Sequence, residues 1–223
     1  MRRIFKSLRQ NIVTNKNSLG SVVGLVICTV TISTTSFGLI SGEGQIGARN
    51  ATWKQGSSSS KTSSTVLRLA GHLDPIPLVP VSFGLGLYSE TWKVSEADHS
   101  MSSLSSWSAV PEIQAWIPLG DLRPFVRVGY SILSGYSGKA NIGTAPANVS
   151  GSIALVGNGV HLAAGLEWNI PVVPLLSVIG SIEYADETVR LAKDKIGDVD
   201  ISSAFKNVNL KSTAILLGAK LSI

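Results

Sequence analysis

The residues from Gly159 to Tyr184, GVHLAAGLEWNIPVVPLLSVIGSIEY, constrain the fold more than any other stretch. In the first arm Val160, Leu162, Ala164, Leu166 and Trp168 alternate with His161, Ala163, Gly165, Glu167 and Asn169. After the turn Ile170-Pro171-Val172-Val173-Pro174, Leu176, Val178, Gly180, Ile182 and Tyr184 alternate with Ser177, Ile179, Ser181 and Glu183. A repeat of two on both sides of a Pro-bearing turn is an antiparallel hairpin, because successive side chains of a strand point to opposite faces. One face is aliphatic with an aromatic near an end, and the other carries glycine, serine and carboxylate. That suits a strand whose apolar side meets lipid and whose polar side meets a barrel lumen.

Five further runs before this hairpin and one after it carry strand patterning, which makes eight strands. They cover residues 44–53, 65–73, 81–92, 104–117, 122–133 and 208–223. In the second run Leu67 and Leu69 oppose Arg68, Ala70 and His72. The third sets Val81, Phe83, Leu85 and Leu87 against Ser82, Gly84, Gly86, Tyr88 and Glu90. In the fourth Trp107, Ala109, Ile113, Ala115 and Ile117 oppose Glu112 and Gln114, and in the fifth Val126, Val128, Tyr130 and Ile132 oppose Arg127, Gly129 and Ser131. The last puts Ile215, Leu217, Ala219, Leu221 and Ile223 outside and Lys220 inside. The first run is the least regular, with Gln45, Gly47, Arg49 and Ala51 on one parity and Ile46 and Ala48 on the other.

Short Pro-bearing turns (74–80, 118–121, 170–174) alternate with long polar loops (54–64, 93–103, 134–158, 186–207), so a hairpin unit of about 45 residues recurs. The loop at 54–64 reads as flexible, and residues 188–196 hold the single candidate helical stretch. Three short turns and four long loops put every long loop at one end, the asymmetry of outer-membrane barrels. Most runs reach the roughly 9–11 residues of a tilted spanning strand, and closure follows because no backbone edge can stay unpaired in hydrocarbon. Aromatics fall near the expected interfaces, Trp107, Tyr130 and Tyr184 toward the long loops and Trp168 and Trp116 toward the turns. Trp116 stands on the polar parity, which implies a bulge or register shift there.

Charge distribution narrows the class further. The formal net charge is +5, but Arg2, Arg3, Lys6, Arg9 and Lys16 all precede residue 20 with no acid among them. From Leu39 onward fourteen Lys/Arg face fourteen Asp/Glu, so no basic surface for nucleic acid is expected. The basic start leads into the apolar run from Leu19 and then Ser36-Phe37-Gly38, with small residues flanking a cleavage position. Residues 1–38 therefore read as a signal peptide and 39–223 as the barrel domain. A permanent N-terminal anchor is the other reading, weakened by the Ser/Thr-rich residues 29–36. Arg2-Arg3 is too common a pair to mark a twin-arginine signal, and Leu25-Val26-Ile27-Cys28 lacks the small residue a lipoprotein box places before cysteine. Cys28 is the single cysteine, so cleavage removes disulfide, thiol and Cys-metal chemistry. After the signal no stretch approaches the roughly 18 consecutive apolar residues of a spanning helix.

These residues resemble the small OmpA/OmpX/Opacity-type eight-stranded outer-membrane barrels over nearly all of the chain after the signal. The sharpest motif is Gly218-Ala219-Lys220-Leu221-Ser222-Ile223, which resembles the terminal insertion signal of such barrels: Gly218, then Leu221 and Ile223 at +3 and +5. Ile223 departs from it, since the family favours an aromatic last residue. The resemblance implies an all-β, eight-stranded antiparallel up-and-down transmembrane barrel in the outer membrane, reached through the periplasm. Its partners would be outer-membrane lipid, lipopolysaccharide and the barrel assembly machinery, with no nucleic acid, and the chain would be a monomer. No cell-wall-binding domain is expected after the barrel, so that role of larger relatives is not expected to transfer.

Under this register the lumen receives Arg49, Arg68, Arg127 and Lys220 together with Glu90, Glu112, Glu167 and Glu183, four cations against four anions. Charges withdrawn from water inside a barrel this narrow must pair, so a salt-bridge plug is the leading reading. A narrow pore for small solutes or ions is the alternative, given the small inward residues Gly84, Gly86, Gly129, Gly165, Ser177 and Ser181. Some barrels of the resembling kind act on lipid A with a histidine near the outer rim. Here His161 with Ser150, Ser152 or Ser181 is the arrangement to consider, although no spacing singles out one serine; His72 lies beside a turn and His99 in a loop. No metal-ligand spacing or phosphate loop is present, so no catalytic residue, metal or cofactor is assigned. A soluble, lipocalin-like ligand carrier would need the opposite sidedness, with the apolar parity inside.

Overall fold

A computed structural model describes residues 39–74, 80–93, 101–142, 149–173, 175–192, 195–196, 199–200 and 207–223; the proposed signal segment 1–38 and its cleavage position lie outside them. Eight long strands are present: β1 (Leu39–Gln55), β2 (Ser58–Asp74), β3 (Val81–Lys93), β4 (Met101–Trp116), β5 (Leu122–Ile142), β6 (Val149–Asn169), β7 (Leu176–Leu191) and β10 (Val208–Ser222). Between β7 and β10 two short strands, β8 (Lys195–Ile196) and β9 (Val199–Asp200), pair as a small ribbon. Each long strand pairs antiparallel with its sequence neighbour, and β1 pairs with β10 from Ser41↔Ser222 to Lys54↔Asn209, closing the barrel. Closure leaves no open sheet edge.

Sidedness follows the alternation. Leu85, Val128, Leu166 and Val178 are 47%, 54%, 54% and 38% exposed on the outside, while Glu90, Arg127 and Glu167 are 5%, 3% and 2% exposed inside. The apolar parity thus faces away from the axis, the reverse of what a soluble ligand carrier requires. Trp107, Tyr130, Tyr184 and Trp168 are also outward and exposed.

Several sequence expectations are corrected. Residues 54–64 are not a loop: β1 runs to Gln55, Gly56 and Ser57 form the turn, and β2 begins at Ser58. Gly56 has φ +60°, a conformation glycine adopts without a Cβ penalty. Much of 134–158 is likewise strand, and Thr188–Leu191, read as possibly helical, completes β7. Beyond the apolar belt both faces lose strict alternation, so the period-two signal fades while the backbone ladder continues.

Trp116 requires no bulge. It follows Glu112 and Gln114 on the inner parity, with Lys220 Nζ 6.0 Å from its ring centre, so it closes the short-turn mouth from within instead of lying at a lipid interface. A register shift falls between Met101 and Ser103 on β4, and a separate bulge lies on β5, between Ser131 and Ser134. Ile132 and Leu133 both point outward there, and the inward parity passes from Arg127, Gly129 and Ser131 to Ser134 and Tyr136. One extra residue on one strand of a pair has this effect.

Candidate functional site

Among the described residues chemistry-bearing side chains converge in the barrel interior, and the ladder dictates which of them meet. At the short-turn mouth Lys220 on β10 donates to Glu167 on β6 at 2.9 Å. Ser177 also donates to Glu167, at 3.2 Å, and Arg123 approaches it to 3.8 Å from the half-exposed rim.

Deeper in, Arg68 on β2 is fully buried and ion-paired to both Glu43 and Glu112. Arg127 Nη1 lies 3.2 Å from Glu43 and 3.6 Å from Glu112, and His72 Nε2 lies 2.8 Å from Glu112. Gln45 accepts a bond from Arg68 at 3.2 Å and donates one to Ser181 at 3.2 Å. His72 fits because Gly84 stands beside it on β3; a Cβ at Gly84 would meet the imidazole ring.

Toward the long-loop end a second cluster forms around Arg49. Its guanidinium is 2.5 Å from Glu183 and 3.3 Å from Glu90, and Ser64 donates to Glu90 at 3.0 Å. His161 is held between Glu183 (Nδ1, 3.2 Å) and Glu187 (Nε2, 2.8 Å), and Tyr136 donates to Glu187. Tyr88 joins the two clusters, accepting from Arg68 and donating to Glu183.

Apolar packing interrupts and caps these charges. Val66, Tyr88, Val110, Ala214 and Leu216 form one buried group. At the outer end Ala51, Trp92, Leu104, Tyr136, Leu155, Val189 and Leu210 form another, with Trp53 and Leu191 packed against it. Trp53 meets Trp92 and Tyr136 edge-on, ring centres 5.6 and 5.7 Å apart, a favourable geometry for aromatic pairs.

The structure places Arg49, Arg68, Glu90, Glu112, Arg127, Glu167, Glu183 and Lys220 in the interior, all of them buried. Two buried carboxylates were missed, Glu43 and Glu187. Glu43 lies one residue before the run read from Gly44, although its parity matches Gln45 and Arg49; Glu187 continues the parity of Glu183 into a segment read as loop. Among the described residues six buried carboxylates therefore face four buried Arg/Lys side chains, with Arg123 approaching from the rim, and His72 and His161 each lie against two of those carboxylates. The expected balance of four against four is corrected accordingly.

His161 does not contact Ser181, which is bonded to Gln45. Its ring nitrogens meet two carboxylates instead, so a Ser–His nucleophile pair on Ser181 is not assembled. His99 and the side chains of Ser150 and Ser152 lie outside the described residues. Among the described residues no group of His, Cys, Asp and Glu is arranged to hold a metal. Of the terminal motif, Gly218 pairs with Gln45 on β1, and Leu221 and Ile223 are exposed.

Fold and interior together define an eight-stranded, antiparallel, up-and-down β-barrel of the transmembrane kind, apolar outside and lined within by Arg, Lys, His and Glu side chains. Among solved structures the chain is similar to the outer membrane protein OprG from Pseudomonas aeruginosa, at TM-score 0.50 and 11% identity over 84% of this chain and 96% of that one. Similarities also extend to Neisserial surface protein A (TM-score 0.45, 13% identity, 82% of this chain and 96% of that one) and to Ail, the attachment invasion locus protein of Yersinia pestis (0.44, 14%, 83% and 100%). At these identities the likeness is one of fold. No family model and no curated protein matches the sequence.

Proposed function

We propose that the protein is an integral outer-membrane barrel, exported through the periplasm, whose role is structural and interactional: the barrel anchors outer hairpins that meet the environment. The carrying observation is the sidedness, an aliphatic exterior around an interior in which Arg49, Arg68 and Arg127 are tied to carboxylates from other strands. Lipid accepts the exterior, and paired ions satisfy the interior without bulk water. The plug of Trp53, Trp92 and Tyr136 above the charges supports a barrel that does not conduct.

A second reading, a narrow path for small solutes or ions, draws on Arg127 Nε and Nη2, both amide atoms of Gln114 and Ser41 Oγ. These buried polar atoms have no hydrogen-bond partner among the described residues, and buried polar groups ordinarily find one. Planar-bilayer recording of the refolded chain separates the two. A silent bilayer agrees with the anchor, whereas stable unitary steps at neutral pH would replace it with the pore.

A further inference from the structure

The outer wall above the aliphatic belt is electrostatically lopsided, and the ladder registers show where. On β1 the outward residues past Ala48 are Asn50, Thr52 and Lys54; on β2 past Leu67 they are Thr65, Ser63 and Lys61. Past Leu87 on β3 come Ser89, Thr91 and Lys93, and past Ile215 on β10 come Thr213, Lys211 and Asn209. Thr52 pairs with Lys61 and Lys54 with Ser59, so Lys54 and Lys61 are diagonal neighbours. Ser63 pairs with Lys93, which makes Lys61 and Lys93 diagonal neighbours too. Thr52 also pairs with Lys211, and Lys54 with Asn209, which adds Lys211 at the other end.

Four lysines thus run across four adjacent strands, each about 7–8 Å from the next at its backbone. Lys211 is answered by Asp186 at 3.3 Å. Lys54, Lys61 and Lys93 have no ion pair among the described residues, and no described carboxylate faces outward beside them on β10, β1, β2 or β3 above the belt. Adjacent like charges on one sheet face repel, so the strip is complementary to an anion brought from outside.

The wall beneath the strip indicates the kind of anion. Below lie Ile46, Leu67, Leu85, Ile215 and Leu217, all exposed, separated from Lys54, Lys61 and Lys93 by two rows of hydroxyl and amide side chains, Asn50 and Thr52, Thr65 and Ser63, and Ser89 and Thr91. Aliphatic wall, hydroxyl and amide rows and cations follow in the order of an amphiphile's tails, polar linkage and phosphates. Lysine stems can also lean down toward headgroups while keeping the ammonium wet. We propose that Lys54, Lys61 and Lys93 bind the phosphorylated headgroup of a lipid in the outer leaflet, its acyl chains lying on the wall of β10, β1, β2 and β3. This rests on the membrane reading above and adds the side of the barrel and the residues.

The test uses the full chain refolded in detergent, with native mass spectrometry of titrations by bis-phosphorylated lipid A or by phosphatidylcholine. Parallel insertion into phosphatidylcholine vesicles checks the membrane reading. Wild type is expected to prefer the phosphorylated lipid by roughly tenfold or more, each lysine contributing at a charged surface. The preference should fall as salt rises from about 0.1 to about 1 M. The triple variant Lys54→Gln, Lys61→Gln, Lys93→Gln should lose it, and the triple Lys→Arg variant should keep it. Equal preference in wild type and the Gln variant overturns the proposal, as does displacement of the lipid by millimolar inorganic phosphate. Insertion without any headgroup preference sinks the lysine strip alone; a chain that does not enter vesicles sinks the membrane reading with it.

Discussion

Tyr88 stands between Arg68 and Glu183, its hydroxyl accepting from Arg68 Nε at 3.0 Å and donating to Glu183 at 2.7 Å. It belongs both to the polar chain and to the apolar group of Val66, Val110, Ala214 and Leu216. One hydroxyl therefore couples the inner cluster around Arg68 to the outer cluster around Arg49.

Tyr88→Phe should keep the ring packing but leave two buried charged groups each short of one bond. A loss of about 1–3 kcal/mol is expected for such groups, read as a lower urea midpoint of the refolded barrel in vesicles. An unchanged midpoint would mean that the two clusters are independent.

Arg68 is the most interlocked cation. Arg68→Met leaves Glu43 and Glu112 to share Arg127 and should cost up to about 3–5 kcal/mol, the range for breaking a buried ion pair from one side. Adding Glu112→Gln should recover part of that loss, because one of the two carboxylates left short of a cation is removed. Additive losses in the double variant, measured by the same unfolding titration, would argue against direct coupling.

Lipid exposure can be probed on a single strand. Leu85→Lys places a charge within the apolar belt and should destabilise by about 2–4 kcal/mol, whereas Ser89→Lys on the same outer face, above the belt, should cost about 1 kcal/mol or less. Equal costs at the two positions would contradict a membrane edge between them.

Glycine positions divide by what faces them. At Gly84 a Cβ would meet the His72 ring, while at Gly42 there is open space. Gly84→Val should therefore cost about 1–3 kcal/mol by overpacking and disturb the His72–Glu112 contact. Gly42→Val should fold with near wild-type yield. Comparing folded fractions by electrophoretic mobility before and after heating distinguishes them.

Sidedness and strand count were legible because lipid and lumen impose opposite demands on neighbouring residues, so Val126–Arg127–Val128–Gly129 declares its two faces. Strand length was not. Once Ser57 to Ser64 rise above the belt, polar side chains suit either face, and pattern no longer distinguishes ladder from loop. The bulge at Ile132 and Leu133 was hidden for a related reason: two adjacent aliphatics read as continued alternation with one chance substitution. Glu43 and Glu187 escaped notice because both sit at the edges of runs defined by apolar residues, although parity alone would have assigned them inward. The partners of His161 were beyond the sequence, since Glu183 and Glu187 reach it only through the β6–β7 register.

The overlong strands also govern reach. On β5 the outward aliphatics end at Leu133, yet the strand continues to Ile142; at about 3.3 Å per residue and a tilt of about 40°, that lifts Ile142 roughly 20 Å beyond Leu133 along the barrel axis. A paired ladder of this height is a stiff pedestal, so the outermost described residues of β5 and β6 can be met without entering the membrane.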